Sequence, residues 1–226
     1  MVSLLVSAAQ LAQHLSDPDW IIIDCRHNLA DVEAGRITYQ TAHIPGAFFF
    51  FLVEDLAGTK TGHNGRHPLP DVKIFATKLG NIGIAKNKTV IAYDDAGGMF
   101  AVRLWWMLRA LGHDKVVLLD GGIARWLAEN HPVDAHVPKA RPSTFTPTTS
   151  WQHVDADYVL RHLHQPGMCL IDARAPDRFA GQNETLDPMA GHIPGASNRF
   201  FKANLDTNGC FKSGGVLKKE FDALLK

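Results

Sequence analysis

The sequence predicts an α/β fold with mainly parallel sheets flanked by helices, built as two tandem copies of one unit. Short segments rich in Ile and Val alternate with longer segments of helical periodicity. The short segments lack polar alternation, as is typical of parallel strands that are covered on both faces. Two sequence patterns also recur in the same order at nearly the same spacing.

The recurring patterns define the repeat. Residues 20–26 read WIIIDCR and residues 168–174 read MCLIDAR, while residues 42–47 read AHIPGA and residues 191–196 read GHIPGA. The aspartates of the first pair are 148 residues apart, and the histidines of the second pair are 149 apart. Two matches in one order at one offset indicate a duplicated α/β unit.

Individual elements follow from length, composition and periodicity. Strands are predicted at 20–25, 90–94, 116–120 and 168–172, and helices near 7–16, 71–80, 99–111, 123–130, 155–164 and 217–225. Helix 99–111 is predicted to end at Gly112. Its apolar stripe is predicted to contain Phe100, Leu104, Trp105, Leu108 and Leu111.

The domain boundaries follow from the repeat. Residues 1–135 are predicted to form a complete first domain, 136–150 a linker rich in Pro, Ser and Thr, and 151–226 a second domain. The counterparts of strand 90–94, its following loop and VVLLDGG (116–122) would fall beyond Lys226. The second domain is therefore expected to be incomplete, with roughly 45–60 residues missing, and to be prone to self-association.

Composition excludes several classes of protein. The 226 residues carry a formal net charge of zero, which favours neither nucleic acid nor an anionic membrane as a partner. No apolar run of about 18 residues predicts a spanning helix, and the N-terminus lacks the basic region of a secretory signal. Three widely spaced cysteines argue against a disulfide framework and favour the cytoplasm.

Neither a cofactor nor a metal site is predicted. The sequence contains no phosphate-binding loop and no dinucleotide fingerprint. His63 and His67 flank a short loop segment, but neither cysteine nor carboxylate accompanies them there.

Taken together, the motifs resemble the rhodanese family of sulfurtransferases in its two-domain form. The matching pieces are IIIDCR, AHIPGA, GRHPLP (65–70), VIAYDDAGGMFAVRLWWMLRALGH (90–113), LLDGG, LIDARAPDRF and GHIPGA. The resemblance implies transfer of sulfane sulfur from thiosulfate or 3-mercaptopyruvate to a thiol or cyanide, through a cysteine persulfide. That cysteine begins a loop between a strand and a helix of the second domain. Asp95 is expected to stand at its place in the first domain, which would make loop 94–99 a scaffold.

The resemblance also suggests substrate-binding residues. Arg174 matches the arginine that binds the anionic substrate, Arg178 could share that role, and His67 lies in a loop that borders the cleft between domains in relatives. An ion pair with a neighbouring carboxylate is the alternative role for Arg174, and packing is the alternative for His67. His43 and His192 occur in both copies, so each is expected to form a local hydrogen bond rather than to act in catalysis.

No catalytic residue is predicted within these residues. Cys25 and Cys169 are expected to be buried, inert thiols, and Cys210 to lie in an exposed hairpin turn without a helix behind it. Two function classes stay open: a sulfurtransferase whose persulfide loop is absent from this chain, which would then be inactive, or a non-catalytic rhodanese-like binding protein or truncated remnant. Rhodanese-like dual-specificity phosphatases are a more distant alternative because they also need a loop cysteine.

Overall fold

A five-stranded parallel sheet forms the centre of the first part of the chain in the computed structural model, which describes residues 4–225. The strands follow the spatial order β1-β5-β4-β2-β3, and every neighbouring pair is parallel. They are β1 (Leu5–Val6), β2 (Trp20–Asp24), β3 (Phe48–Phe49), β4 (Thr89–Tyr93) and β5 (Val116–Leu119). The predictions for β2, β4 and β5 are confirmed to within one residue at each end.

Five helices flank this sheet: α1 (Ala8–Gln13), α2 (Ala34–Thr41), α3 (Val72–Asn81), α4 (Ala101–Ala110) and α5 (Gly122–Ala128). Ser7 begins α1 with a capping box, and the Asp71 carboxylate accepts two backbone N–H groups at the start of α3. Helix α2 is absent from the sequence-based expectations. Its sequence, AGRITYQT, contains Gly and three β-branched residues, which lowers the intrinsic preference for a helix.

The core lies on both faces of the sheet. All four residues of β5 are buried, as are the last four of β2 and of β4. The predicted stripe of α4 is wrong at one position, because Met107 is fully buried whereas Trp105 is half-buried and lies beneath the Arg109 guanidinium. The predicted end of α4 is confirmed, since Gly112 has φ +84° and follows the last helical turn.

Residues 134–151, here called the strap, run along the first unit. The Ser143 N–H donates to the Gly80 carbonyl at 2.9 Å, and the Thr148 N–H donates to the Leu111 carbonyl at 3.1 Å. A side chain at Gly80 would place its Cβ 2.6 Å from the Ser143 carbonyl oxygen, so this close approach requires glycine. The residues expected to be a linker are thus held against the first unit, and the two compact units divide between Gln152 and His153.

The second unit is smaller and contains little regular structure. Strands β6 (Ile171–Asp172) and β7 (Ser197–Asn198) form a two-stranded parallel sheet. The helices are α6 (Ala156–His162), α7 (Pro176–Phe179), a 3₁₀ turn (Phe201–Asn204) and α8 (Gly214–Leu224). The predicted strand 168–172 therefore shortens to two residues. No described residue of this unit is fully buried.

One pairing pattern occurs in both units. In the first, Ile23 and Asp24 of β2 lie opposite Phe48 and Phe49 of β3. In the second, Ile171 and Asp172 of β6 lie opposite Ser197 and Asn198 of β7. Both pairs are parallel, and their residues correspond at the offset of the sequence repeat. Among the helices of residues 4–225, none has the length and apolar character needed to cross a bilayer.

Candidate functional site

An aspartate–arginine pair lies at the end of β2 in the first unit and at the end of β6 in the second. The Arg174 Nε donates to both carboxylate oxygens of Asp172, and its Nη2 donates to Asp172 at 2.7 Å and to the Gly191 carbonyl at 2.6 Å. Arg26 repeats these contacts with Asp24 at 2.6 Å and with the Ala42 carbonyl at 2.7 Å. Bidentate pairs of this kind fix a side chain strongly. Arg174 therefore forms an ion pair with a neighbouring carboxylate, which is the role predicted as the alternative to substrate binding.

Arg178 lies one turn further, at the end of α7. Its Nε and Nη2 donate to Glu184 at 2.9–3.0 Å, and Nη2 also donates to Asp187 at 2.9 Å. Arg174 Nη1 lies 3.6 Å from Glu184. The structure therefore brings the two predicted arginines together around one carboxylate, which no pattern in the sequence indicates.

Glu184 is the centre of this cluster. Only 3% of its side chain is exposed, and it accepts the backbone N–H groups of Leu186 and Asp187. The Leu186 N–H, followed by the Arg178 guanidinium, lowers the pKa of Glu184 to about 2. Two guanidinium groups and two N–H groups thus surround the single carboxylate of Glu184.

The protonation of Glu184 gives a testable pH dependence. Because its pKa is about 2 in the folded chain and 4.5 ordinarily, the unfolded chain takes up this proton first as the pH falls. The carboxylate is expected to contribute its full stabilisation above pH 4.5 and to lose it progressively towards pH 2. The measurement is a carbon-13 NMR titration of the Glu184 carboxyl group. The Glu184→Gln variant should remove this dependence, and a midpoint near the ordinary value would contradict the described contacts.

His67 belongs to the first unit and is half-buried. Burial, followed by the charges of Arg103 and Lys60, lowers the pKa of His67 to about 4, so the imidazole is neutral at pH 7. Its ring lies edge-on to that of His27, with ring centres 6.4 Å apart. Its backbone carbonyl accepts a hydrogen bond from Arg103 at 3.0 Å.

The loop after β4 is organised around Asp94. This buried carboxylate accepts the N–H groups of four residues at 2.8–2.9 Å: Ala96, Gly98, Phe100 and Ala101. Asp95 is exposed. The expectation that Asp95 stands at the place of the family's cysteine is therefore wrong, because Asp94 is the residue on which the N–H groups of the loop converge. The residue directly after the strand points into the ring of N–H groups, and the next residue points outward.

None of the three cysteines lies in such a ring. Cys25 is buried, and burial raises its pKa well above the ordinary value, so it stays a neutral thiol. Cys169 is exposed, contrary to expectation, because β6 begins only at Ile171. Cys210 is half-buried and follows a turn in which its N–H donates to the Asp206 carboxylate.

The repeated histidines form local hydrogen bonds, as predicted. His43 Nδ1 lies 2.7 Å from the Tyr39 carbonyl oxygen, and His192 Nδ1 lies 2.7 Å from that of Phe179. Each imidazole stacks on the ring of the same residue. Among residues 4–225, no three His, Cys, Asp or Glu side chains are placed to hold a metal ion.

Comparison with known proteins gives concordant matches. The family named Rhodanese-like domain matches residues 7–129. The chain is 45% identical to a probable 3-mercaptopyruvate sulfurtransferase of Pseudomonas aeruginosa, over 98% of this chain and 79% of the relative. It is 32% identical to the thiosulfate sulfurtransferase of Mus musculus, over 96% of this chain and 75% of that protein.

Solved structures agree with these matches. The 3-mercaptopyruvate sulfurtransferase from Leishmania major superposes with a TM-score of 0.85 at 30% identity, over 98% of this chain and 62% of that one. SseA from Escherichia coli, a 3-mercaptopyruvate sulfotransferase, superposes with a TM-score of 0.83 at 31% identity, over 98% and 84%.

Proposed function

The chain belongs to the rhodanese-like family of sulfurtransferases, and from this premise we propose that it binds the anionic sulfur donor of a thiosulfate or 3-mercaptopyruvate sulfurtransferase. The sulfur is passed to a thiol or cyanide acceptor through a cysteine persulfide, whose loop is absent from these residues. One observation carries the proposal: Arg174 and Arg178 converge on a single anion position in a unit that has no thiol in an N–H ring.

The tandem arrangement is part of this proposal. The repeated strand pairing and the repeated aspartate–arginine pair support two copies of one rhodanese-like domain. The first copy is a non-catalytic scaffold, since Asp94 occupies its N–H ring. The second copy, from residue 153 onward, carries Arg174 and Arg178 and is the normally catalytic copy. The alternative of a pure binding protein is not favoured, because the relatives matched over three quarters of their length are named sulfurtransferases.

Of the two arginines, Arg178 is the better candidate to bind the sulfur donor. Arg174 makes the same contacts as Arg26 of the non-catalytic copy. These contacts therefore do not favour a role for Arg174 in donor binding. Arg178 has no arginine counterpart at the repeat offset, where Ala30 stands. One of its partners, Asp187, is 34% exposed, so a donor oxyanion can take its place on the guanidinium.

The proposal is tested by measuring the binding of a sulfur donor in the absence of turnover. Thiosulfate titrated into the chain should shift the Arg178 side-chain NMR signals. Arg178→Gln should weaken binding roughly ten- to a hundredfold, since one charge-assisted hydrogen bond contributes about 1.5–3 kcal/mol. Arg161→Gln, which removes an exposed arginine from α6 of the same unit, is the matched control and should bind normally. Thiocyanate formation from thiosulfate and cyanide should stay at background.

Two outcomes would contradict the proposal. Equal weakening in the Arg161→Gln variant would show that thiosulfate responds only to overall charge. Turnover well above background that is abolished by Cys210→Ser would identify Cys210 as a sulfur carrier.

A further inference from the structure

A cavity of about 310 Å³ lies between the strap and the end of α4 in the first unit. Small-molecule sites have volumes of about 300–1,000 Å³, so the cavity is large enough for a small ligand. The residues before β4 and β5 contribute to it, together with the strap: Lys86, Leu111, Gly112, His113, Thr144, Phe145, Thr146 and Thr148. Because parallel strands begin at the same edge of a sheet, this cavity lies at the opposite edge from the loop after β4.

Hydrogen bonds fix the strap on both sides of the cavity. The Ser143 Oγ donates to the Ile84 carbonyl at 3.1 Å, and the Thr149 Oγ1 donates to the Ala110 carbonyl at 2.5 Å. Between these points, a side chain at Gly112 would place its Cβ 1.8 Å from the Thr148 Oγ1, so the strap approaches the end of α4 closely. The walls of the cavity are therefore preorganised, which lowers the entropic cost of binding a ligand.

His113 is the buried polar residue of the cavity wall. Its side chain is only 4% exposed, and its Nε2 has no hydrogen-bond partner among the residues that the structure describes. Burial lowers the pKa of His113 and outweighs the backbone groups of Lys115 and Lys88, which act in the opposite direction, so the imidazole is neutral at pH 7. A buried polar atom without a partner costs free energy, which a ligand recovers when it supplies that partner.

Lys86 gives the cavity a positive charge. Its side chain is exposed at the surface, and none of the described residues that line the cavity is acidic. Asp114 follows His113 in sequence, but its carboxylate pairs with the Arg109 guanidinium at 3.4 Å. The charge of the lining therefore favours an anionic ligand over a cationic one.

The rest of the wall is largely apolar. Leu111 is 1% exposed and Phe145 is 8% exposed. The ring centres of Phe145 and His113 lie 5.8 Å apart. An inorganic oxyanion would leave this apolar surface without a partner, whereas a ligand with an apolar body and a single anionic group matches both parts of the wall.

We propose that this cavity is a binding site for a small organic monocarboxylate with an apolar body. The carboxylate lies beside the Lys86 ammonium group and accepts a hydrogen bond from the His113 Nε2, and the apolar body packs against Leu111 and Phe145. The site belongs wholly to the first unit, so it is a second site that does not depend on the proposed binding of a sulfur donor by Arg178.

The test uses benzoate as the probe and the whole chain as the protein. Isothermal titration calorimetry is expected to give a Kd of about 1 mM or below, and NMR should show a shift of the His113 imidazole signals. Lys86→Gln should weaken benzoate binding about fivefold, since an ion pair with an exposed cation contributes up to about 1 kcal/mol. His113→Phe keeps an aromatic ring but removes the donor, and should weaken binding tenfold or more.

Lys73→Gln is the matched control, because it removes an exposed lysine of the same unit that does not line this cavity. It should bind benzoate like the unmodified chain. Equal weakening in the Lys86→Gln and Lys73→Gln variants, or unchanged His113 signals at saturating benzoate, would overturn the proposal.

Two competition experiments test the chemical class of the ligand. Benzyl alcohol, which lacks the charge, should not displace benzoate, and neither should inorganic phosphate at equal ionic strength. Displacement by phosphate would assign the cavity to an inorganic oxyanion and would overturn the proposal. A shift of the Arg178 signals in place of those of His113 would also overturn it, by placing benzoate at the donor site. Failure of the thiosulfate test at Arg178 would leave the benzoate result unaffected, so the two outcomes are distinguishable.

Discussion

Replacing Asp94 with alanine is expected to lower the free energy of unfolding of the first unit by about 3–5 kcal/mol. The carboxylate is 1% exposed and accepts four backbone N–H groups of the loop that connects β4 to α4. Alanine would leave these donors buried without partners, and the loop would have to open to hydrate them. Urea denaturation followed by circular dichroism measures the difference.

Two further variants sharpen this test. Asp95→Ala changes the exposed neighbour and should alter the free energy of unfolding by no more than about 0.5 kcal/mol. Asp94→Asn keeps one acceptor oxygen and should fall between alanine and the unmodified chain. Equal stability of Asp94→Ala and Asp95→Ala would mean that the four N–H groups find other partners, and that the ring does not depend on a fixed anion.

Hydrogen exchange is expected to separate the two units by at least about 3 kcal/mol in opening free energy, roughly a hundredfold in rate. In the first unit, the slowest amides should be those of the central strand β4, where Ile91 and Ala92 are fully buried. In residues 153–225, no described residue is fully buried. The slowest amides of the first unit should therefore exchange only through global unfolding. Amides of the second unit should exchange through local opening.

Amides of the second unit should exchange faster because its apolar side chains are poorly buried. Four apolar residues of the second unit are 36%, 49%, 70% and 80% exposed: Ile171, Ile193, Leu160 and Met189. Exposed groups of this kind favour association between molecules, so exchange should be measured at two protein concentrations. Slow exchange in both units of a monomer would show that the second unit buries these residues in solution.

The sequence predicted the long, apolar elements of the fold and missed the short ones. β2, β4 and β5 are apolar runs that need no partner to be recognised. β1 and β3 contain two residues each, and only pairing with β5 and β2 makes them strands. A segment of two residues is too short to show a hydrophobic period.

The sequence indicated Arg174 and Arg178 as candidates, but it did not indicate the carboxylate that lies between them. Arg174 and Arg178 follow a recognisable strand, whereas Glu184 lies in a loop and meets them only in the folded structure. Asp94 and Asp95 are adjacent acids, and only the direction of the chain after β4 distinguishes them. Arg103 bonds to carbonyl oxygens, which carry no sequence signature.

The strap contains one of the tryptophans that give the chain its fluorescence. Its last residue, Trp151, donates to the Pro70 carbonyl, and its ring stacks near Trp106 with centres 6.1 Å apart. All five tryptophans of the chain precede residue 153. Tryptophan fluorescence therefore arises only from the first unit and the strap, and a change in the emission of Trp151 reports the release of the strap.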